Sequence, residues 1–117
     1  MQKVFGIFGI KKELQLFGIM KTSPDDNGEV EALPFDHYKQ FKNTLPKDKI
    51  IKHIESLDFL CLAARAGYDI FTKEYIPNAG FYRDGDFVFP TDFLHYLKNY
   101  DIGVPYEYEE YLKQVIK

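Results

Sequence analysis

The sequence predicts an α+β fold in a single domain spanning 1–117: a small antiparallel sheet, helices on one face of it, and two helices at the C-terminus. Three observations carry this expectation. An Asp-Gly dipeptide at 84 and 85 lies between two aromatic-rich runs, which marks a tight β-hairpin over 79–89. Behind it, two segments with apolar residues three and four apart are separated by Gly103 and Pro105, and read as consecutive helices. The 117 residues are 45% hydrophobic and 28% charged, which is enough to bury one core without metals or disulfides.

At the N-terminus, Val4, Phe5, Ile7, Phe8 and Ile10 have the β-branched and aromatic richness of strands, and two strands broken near Lys11 and Lys12 are expected. A helix here would lose roughly 1 kcal/mol at each of the interior glycines Gly6, Gly9 and Gly18. Residues 22–29, TSPDDNGE, form a loop by their Pro, Asp, Asn and Gly content. Phe35, Tyr38, Phe41 and Leu45 then share one face of a short helix closed by Pro46. That proline opens a second helix, with Ile50, Ile54 and Leu57 inward and Lys47, Lys49 and Lys52 in water.

Residues 59–64 read as a buried strand, the alternative being a prolongation of the preceding helix to Gly67. The following stretch to Gly80 is irregular, with turn residues at Gly67, Asp69, Pro77 and Asn78. In the hairpin, a type I′ turn centred on Asp84 and Gly85 sets Arg83 opposite Asp86, Tyr82 opposite Phe87 and Phe81 opposite Val88. Pro90 stops the strand, Thr91 caps the next helix, and Asp92 suits the positive end of its dipole. Phe93, Tyr96, Leu97 and Tyr100 form its buried stripe. In the last helix the stripe is Tyr108, Tyr111, Leu112, Val115 and Ile116. Its first turn holds Glu107, Glu109 and Glu110, and its end Lys113 and Lys117.

Composition narrows the function. A net charge of −3 argues against a nucleic-acid binder, which needs an extended basic face to displace phosphate counterions, so nucleic acid is not an expected partner. The single cysteine, Cys61, has no internal disulfide partner and reads as a buried thiol inside FLCLAA. No Cys/His cluster suggests zinc, and no metal or cofactor is expected. The glycines of FGIFGI fit neither phosphate-loop pattern, and Ser23 and Ser56 do not sit in a nucleophile elbow. The apolar N-terminal run is broken by Lys11, Lys12 and Glu13 and is too short for a membrane span, so a cytoplasmic location is expected.

His37, His53 and His95 each fall on a predicted helix beside its apolar stripe, without metal-ligand spacing. The enzyme arrangement considered is His95 with Asp84 and Asp92, a small hydrolase or metal-dependent site. Turn and helix-start chemistry already account for Asp84, Asp86 and Asp92, so no catalysis is the expectation. A binding surface has more support: Tyr106, Glu107, Glu109 and Glu110 begin the last helix, and Asp84 and Asp86 could assist them against a basic protein. Tyrosine, with 9 residues, is well suited to an interface. A structural or regulatory subunit would share these features.

The stretch DGDFVFPTDFLHYLKNYDIGVPYEYEEYL resembles a motif of small uncharacterised bacterial proteins. Those combine a DG turn, an aromatic strand ending in Trp-Pro or similar, a helix with a Tyr-Tyr or His-Tyr pair, and a closing element of Leu-Pro, Glu and then Phe or Tyr. Here Asp84, Gly85, Phe87, Phe89, Pro90, Leu94, His95, Tyr96, Tyr100, Val104, Pro105, Glu107 and Tyr108 occupy those places. Phe89 replaces the tryptophan, and Val-Pro replaces Leu-Pro. The resemblance covers residues 50 to 112 and leaves the N-terminal third unmatched. Some members look like proteins that neutralise bacterial toxins, which implies a partner-blocking role and supplies no catalytic residues.

Overall fold

The computed structural model describes residues 2–5, 11–19, 35–62, 67–76 and 80–116. The elements run β1 (Gln2–Phe5), β2 (Glu13–Leu16), α1 (Phe35–Lys39), α2 (Lys47–Glu55), β3 (Phe59–Leu62), β4 (Gly67–Tyr68), β5 (Tyr75–Ile76), β6 (Gly80–Asp84), β7 (Phe87–Pro90), α3 (Thr91–Asn99) and α4 (Tyr106–Val115). The fold is α+β, with the expected hairpin, N-terminal strand pair and two C-terminal helices. The loop expected at 22–29 lies outside the described residues, as do Ile7, Phe8 and Ile10.

Five strands form one sheet in the order β1-β2-β7-β6-β3. The sheet is mixed rather than wholly antiparallel, because β2 runs parallel to β7. The Gln15 N–H reaches the carbonyl of Asp86, and the Phe17 N–H that of Val88. This pair joins segments some 70 residues apart in a chain of 117, which places the N-terminal hairpin on the open edge of β7. Residues 59–62 are strand and pair antiparallel with β6.

The hairpin is slipped from the expected register. Asp84 faces Phe87, Arg83 faces Val88 and Tyr82 faces Phe89, so Gly85 and Asp86 are the turn residues. Positive φ occurs at Gly85, at +62°, and not at Asp86, which is the type II′ pattern rather than type I′. The slip moves each pairing by two positions, so every side chain keeps the face its parity assigns. Tyr82, Phe87 and Phe89 point to the helices, and Phe81 and Val88 to the opposite face with Leu14 and Leu16.

All four helices lay their buried side chains on the first face, where Tyr38, Ile50, Ile54, Phe93, Leu97, Tyr108 and Leu112 join one core. Rings dominate it. Phe17 stacks on Phe89 at 4.9 Å and meets Phe93 and Tyr108 edgewise or tilted at 5.4 and 5.2 Å. Such contacts add about 0.5–1.5 kcal/mol each beyond the area they bury.

Several local details differ from expectation. The first helix stops at Lys39, short of Phe41 and Leu45. The chain beyond it is satisfied from α4 instead, since the Thr44 and Leu45 N–H groups donate to the Glu109 carboxylate. Asn43 clasps both the N–H and the carbonyl of Val104. Thr91 is the first residue of α3 and makes no cap; its hydroxyl accepts the Gly80 N–H. Lys47 is half-buried, with its ammonium on the Tyr100 carbonyl, rather than free in water. Val115 ends the α4 stripe exposed, at 43%.

Candidate functional site

Strand alternation aims Asp84 the same way as Tyr82, so its carboxylate enters the core and is 6% exposed. A lone carboxylate there would be costly, and the fold surrounds it with donors. His53 Nε2 lies 2.8 Å and the Tyr108 hydroxyl 2.6 Å from Oδ2, and the Tyr111 hydroxyl lies 3.1 Å from Oδ1. A carboxylate only accepts, so the His53 proton toward it is on Nε2. Burial and then the Asp84 hydrogen bond push the Tyr108 phenol well above its ordinary range, and burial raises Tyr111 as well. This cluster ties β6, α2 and α4 together.

A second buried carboxylate, Asp69, organises a separate set of partners. It is 2% exposed. Its Oδ1 accepts the N–H groups of Phe71 and Thr72 at 2.8 and 3.0 Å, and its Oδ2 lies 2.8 Å from His95 Nε2. The Tyr100 hydroxyl donates to both oxygens. Burial pushes this carboxyl up, but the bonds from His95, Thr72, Tyr100 and Phe71 outweigh it and hold the group well below the carboxylate range. The same bond to Asp69, with burial, pushes Tyr100 up to about 12.

Asp69 makes an ordered ribbon of a segment the sequence marks as irregular. β4 and β5 pair antiparallel, Gly67 with Ile76 and Tyr68 with Tyr75. The Asp69 N–H donates to the Glu74 carbonyl, and the Lys73 N–H to that of Asp69. Closing the turn forces Lys73 to φ +65°, a conformation few non-glycine residues adopt. The ribbon presents Tyr68, Phe71 and Tyr75 at 57%, 54% and 59% exposure. Tyr68 and Tyr75 meet at 5.9 Å, and Phe71 leans on Phe35 and Tyr100 at 4.9 and 5.1 Å.

The residues expected to form an acidic face do not share one role. Glu109 is 3% exposed and structural, holding the Thr44 and Leu45 N–H groups. Burial raises its carboxyl, but the bonds from Leu45, Asn43 and Thr44 bring it below its ordinary value. Asp84 is likewise interior. Asp86 is exposed but lies 2.6 Å from Lys12, and Glu110 is paired with Lys113 at 3.2 Å. Tyr106 is 46% exposed, with its hydroxyl between the Lys42 N–H and the Gln40 carbonyl. Glu107 is exposed on the helix surface.

His95 and Asp84 do not meet: His95 belongs to Asp69, and Asp84 to His53. His37 is half-buried, its ring beside Tyr38 and Phe41. Among the described residues no three His, Cys, Asp or Glu side chains gather as a metal site. Neither is any helix among them long and apolar enough to cross a membrane.

Sequence reasoning missed both His–carboxylate pairs. For Asp84 a signal existed, because its parity with Tyr82 already puts it on the core face. For Asp69 the spacing of partners at 95 and 100 lies across the fold and leaves no local mark. No family model, curated protein or solved structure matches the chain.

Proposed function

We propose that the protein is a non-enzymatic, cytoplasmic protein-binding module whose contact surface is the ribbon at 67–76. The observation that carries this is the set of three exposed rings, Tyr68, Phe71 and Tyr75, on a turn fixed from beneath by Asp69. Rigid aromatic anchors lose little side-chain entropy on binding and recur at the centres of interfaces. A strained residue such as Lys73 also marks a turn whose shape is imposed by its surroundings.

The partner class follows from the same surface. Aromatic rings flanked by one lysine and one glutamate, Lys73 and Glu74, favour an apolar epitope with little net charge. A basic partner, the expectation from composition, is the second reading, and it would have to compete with in-chain lysines at Asp86 and Glu110. Neutralisation of a toxin, the role implied by the resemblance at residues 50–112, is one form such binding takes.

The test is recovery of a partner complex from cells expressing tagged variants. Tyr68→Ser with Tyr75→Ser should abolish a complex seen with the wild type, whereas Glu107→Lys with Glu110→Lys should retain it. Loss only in the charge variant would return the contact to the start of α4.

A further inference from the structure

We propose that the groove between α2 and the end of α4 binds a small organic phosphate monoester. The groove is open to solvent, offers about 420 Å3, and is lined by Lys49, Lys52, His53, Ser56, Val115 and Ile116. That volume lies within the roughly 300–1,000 Å3 range of small-molecule clefts.

The lining divides into two chemistries. Lys49, Lys52, His53 and Ser56 follow the i, i+3, i+4, i+7 spacing that puts them on one face of α2. Lys3, Lys12, Lys39, Lys98 and Lys113 each have a carboxylate partner, whereas Lys49 and Lys52 have none among the described residues. Opposite them, Val115 and Ile116 offer an apolar wall.

His53 is the fixed element between these sides. Asp84 holds its Nε2, and Tyr108 and Tyr111 hold Asp84, so the ring is oriented by a buried cluster. With that proton on Nε2 the Nδ1 accepts rather than donates, so the ring serves as a fixed wall of the groove while the two ammonium groups meet the anion. The negative pole of α2 opposes an anion with roughly half an elementary charge. Two full lysine charges exceed it.

The charges select the ligand. Two ammonium groups match a dianion, and ammonium groups act as point charges suited to a phosphate, whereas a planar carboxylate is best met by the arginine fork that this groove lacks. Val115 and Ile116 then take the organic part.

The experiment is an amide NMR titration of the full chain with phenyl phosphate, benzoate and phenol at low salt. Phenyl phosphate should give saturable shifts confined to residues 49–56 and 113–116, benzoate should bind more weakly, and phenol should not bind. Lys49→Gln with Lys52→Gln should weaken phenyl phosphate about tenfold, a loss expected for two partly solvated charge contacts, with thermal melting unchanged. Val115→Asp, a change at an exposed position, should weaken it independently. Absent saturation at millimolar phenyl phosphate, shifts scattered over unrelated lysines, equal binding of benzoate, or wild-type affinity in either variant would each overturn the proposal.

Discussion

Replacing Asp84 by alanine is predicted to destabilise the protein by about 4 kcal/mol. Three donors lose their acceptor: His53 Nε2, the Tyr108 hydroxyl and the Tyr111 hydroxyl. Hydrogen bonds to a charged group contribute about 1.5–3 kcal/mol each, though members of one cluster do not add fully. His53 and Tyr111 are partly exposed and can turn to water, but Tyr108 is 0% exposed and its hydroxyl would be orphaned. That orphan alone costs about 1–3 kcal/mol. Adding Tyr108→Phe should therefore recover about 1 kcal/mol, whereas Tyr108→Phe in the wild type should cost about 1–2 kcal/mol. Urea unfolding with an unchanged m-value is the assay, since a constant slope confines the effect to stability. A loss below about 1 kcal/mol for Asp84→Ala, or strict additivity in the double variant, would refute the cluster's role.

The other predictions concern separate points of the fold. The Asp69 carboxyl is depressed in the folded state, so its contribution is fully present above the unfolded value near pH 4 and is lost as pH falls below it. Asp69→Asn should flatten that acid limb in pH-dependent melting and let Tyr100 ionise below its value of about 12 in an ultraviolet titration. Gly85→Val should cost about 2 kcal/mol or more in chemical unfolding, since φ is +62° and an added Cβ would lie 2.9 Å from the Tyr111 ring. Glu109→Gln should cost about 1–2 kcal/mol through the Thr44 and Leu45 N–H groups, whereas Glu107→Gln should stay within about 0.5 kcal/mol.

Those outcomes bear on how much of the molecule is legible in its sequence. Strand and helix faces were legible, because periods of two and 3.6 depend only on local spacing. The hairpin's position followed from one glycine, but its register did not. Asp-Gly suits a turn with both residues central, and the structure instead buries Asp84 to meet Tyr108 and Tyr111. The parallel pairing of β2 with β7 had no local signal either, since nothing near residue 15 specifies residue 87.

The candidate site was less legible for a related reason. Acids at 84, 107, 109 and 110 look alike in sequence, yet two are buried keystones and two are exposed. Glu109 could have been separated from its neighbours, as it lies three residues before Leu112 on the flank of the buried stripe. The ribbon at 67–76 reads as irregular because the bonds from His95 and Tyr100, which bury and fix Asp69 beyond its local turn, come from far along the chain.

The most direct test of the proposed binding role is a photo-crosslink from the ribbon itself. A benzophenone amino acid in place of Tyr75, in the full chain expressed in its native cells, should give one discrete adduct with a partner protein. The adduct should vanish when Tyr68→Ser is added, and the same probe at Glu107 should give none. Adducts from position 107 without any from position 75, or no adduct from either, would contradict the account.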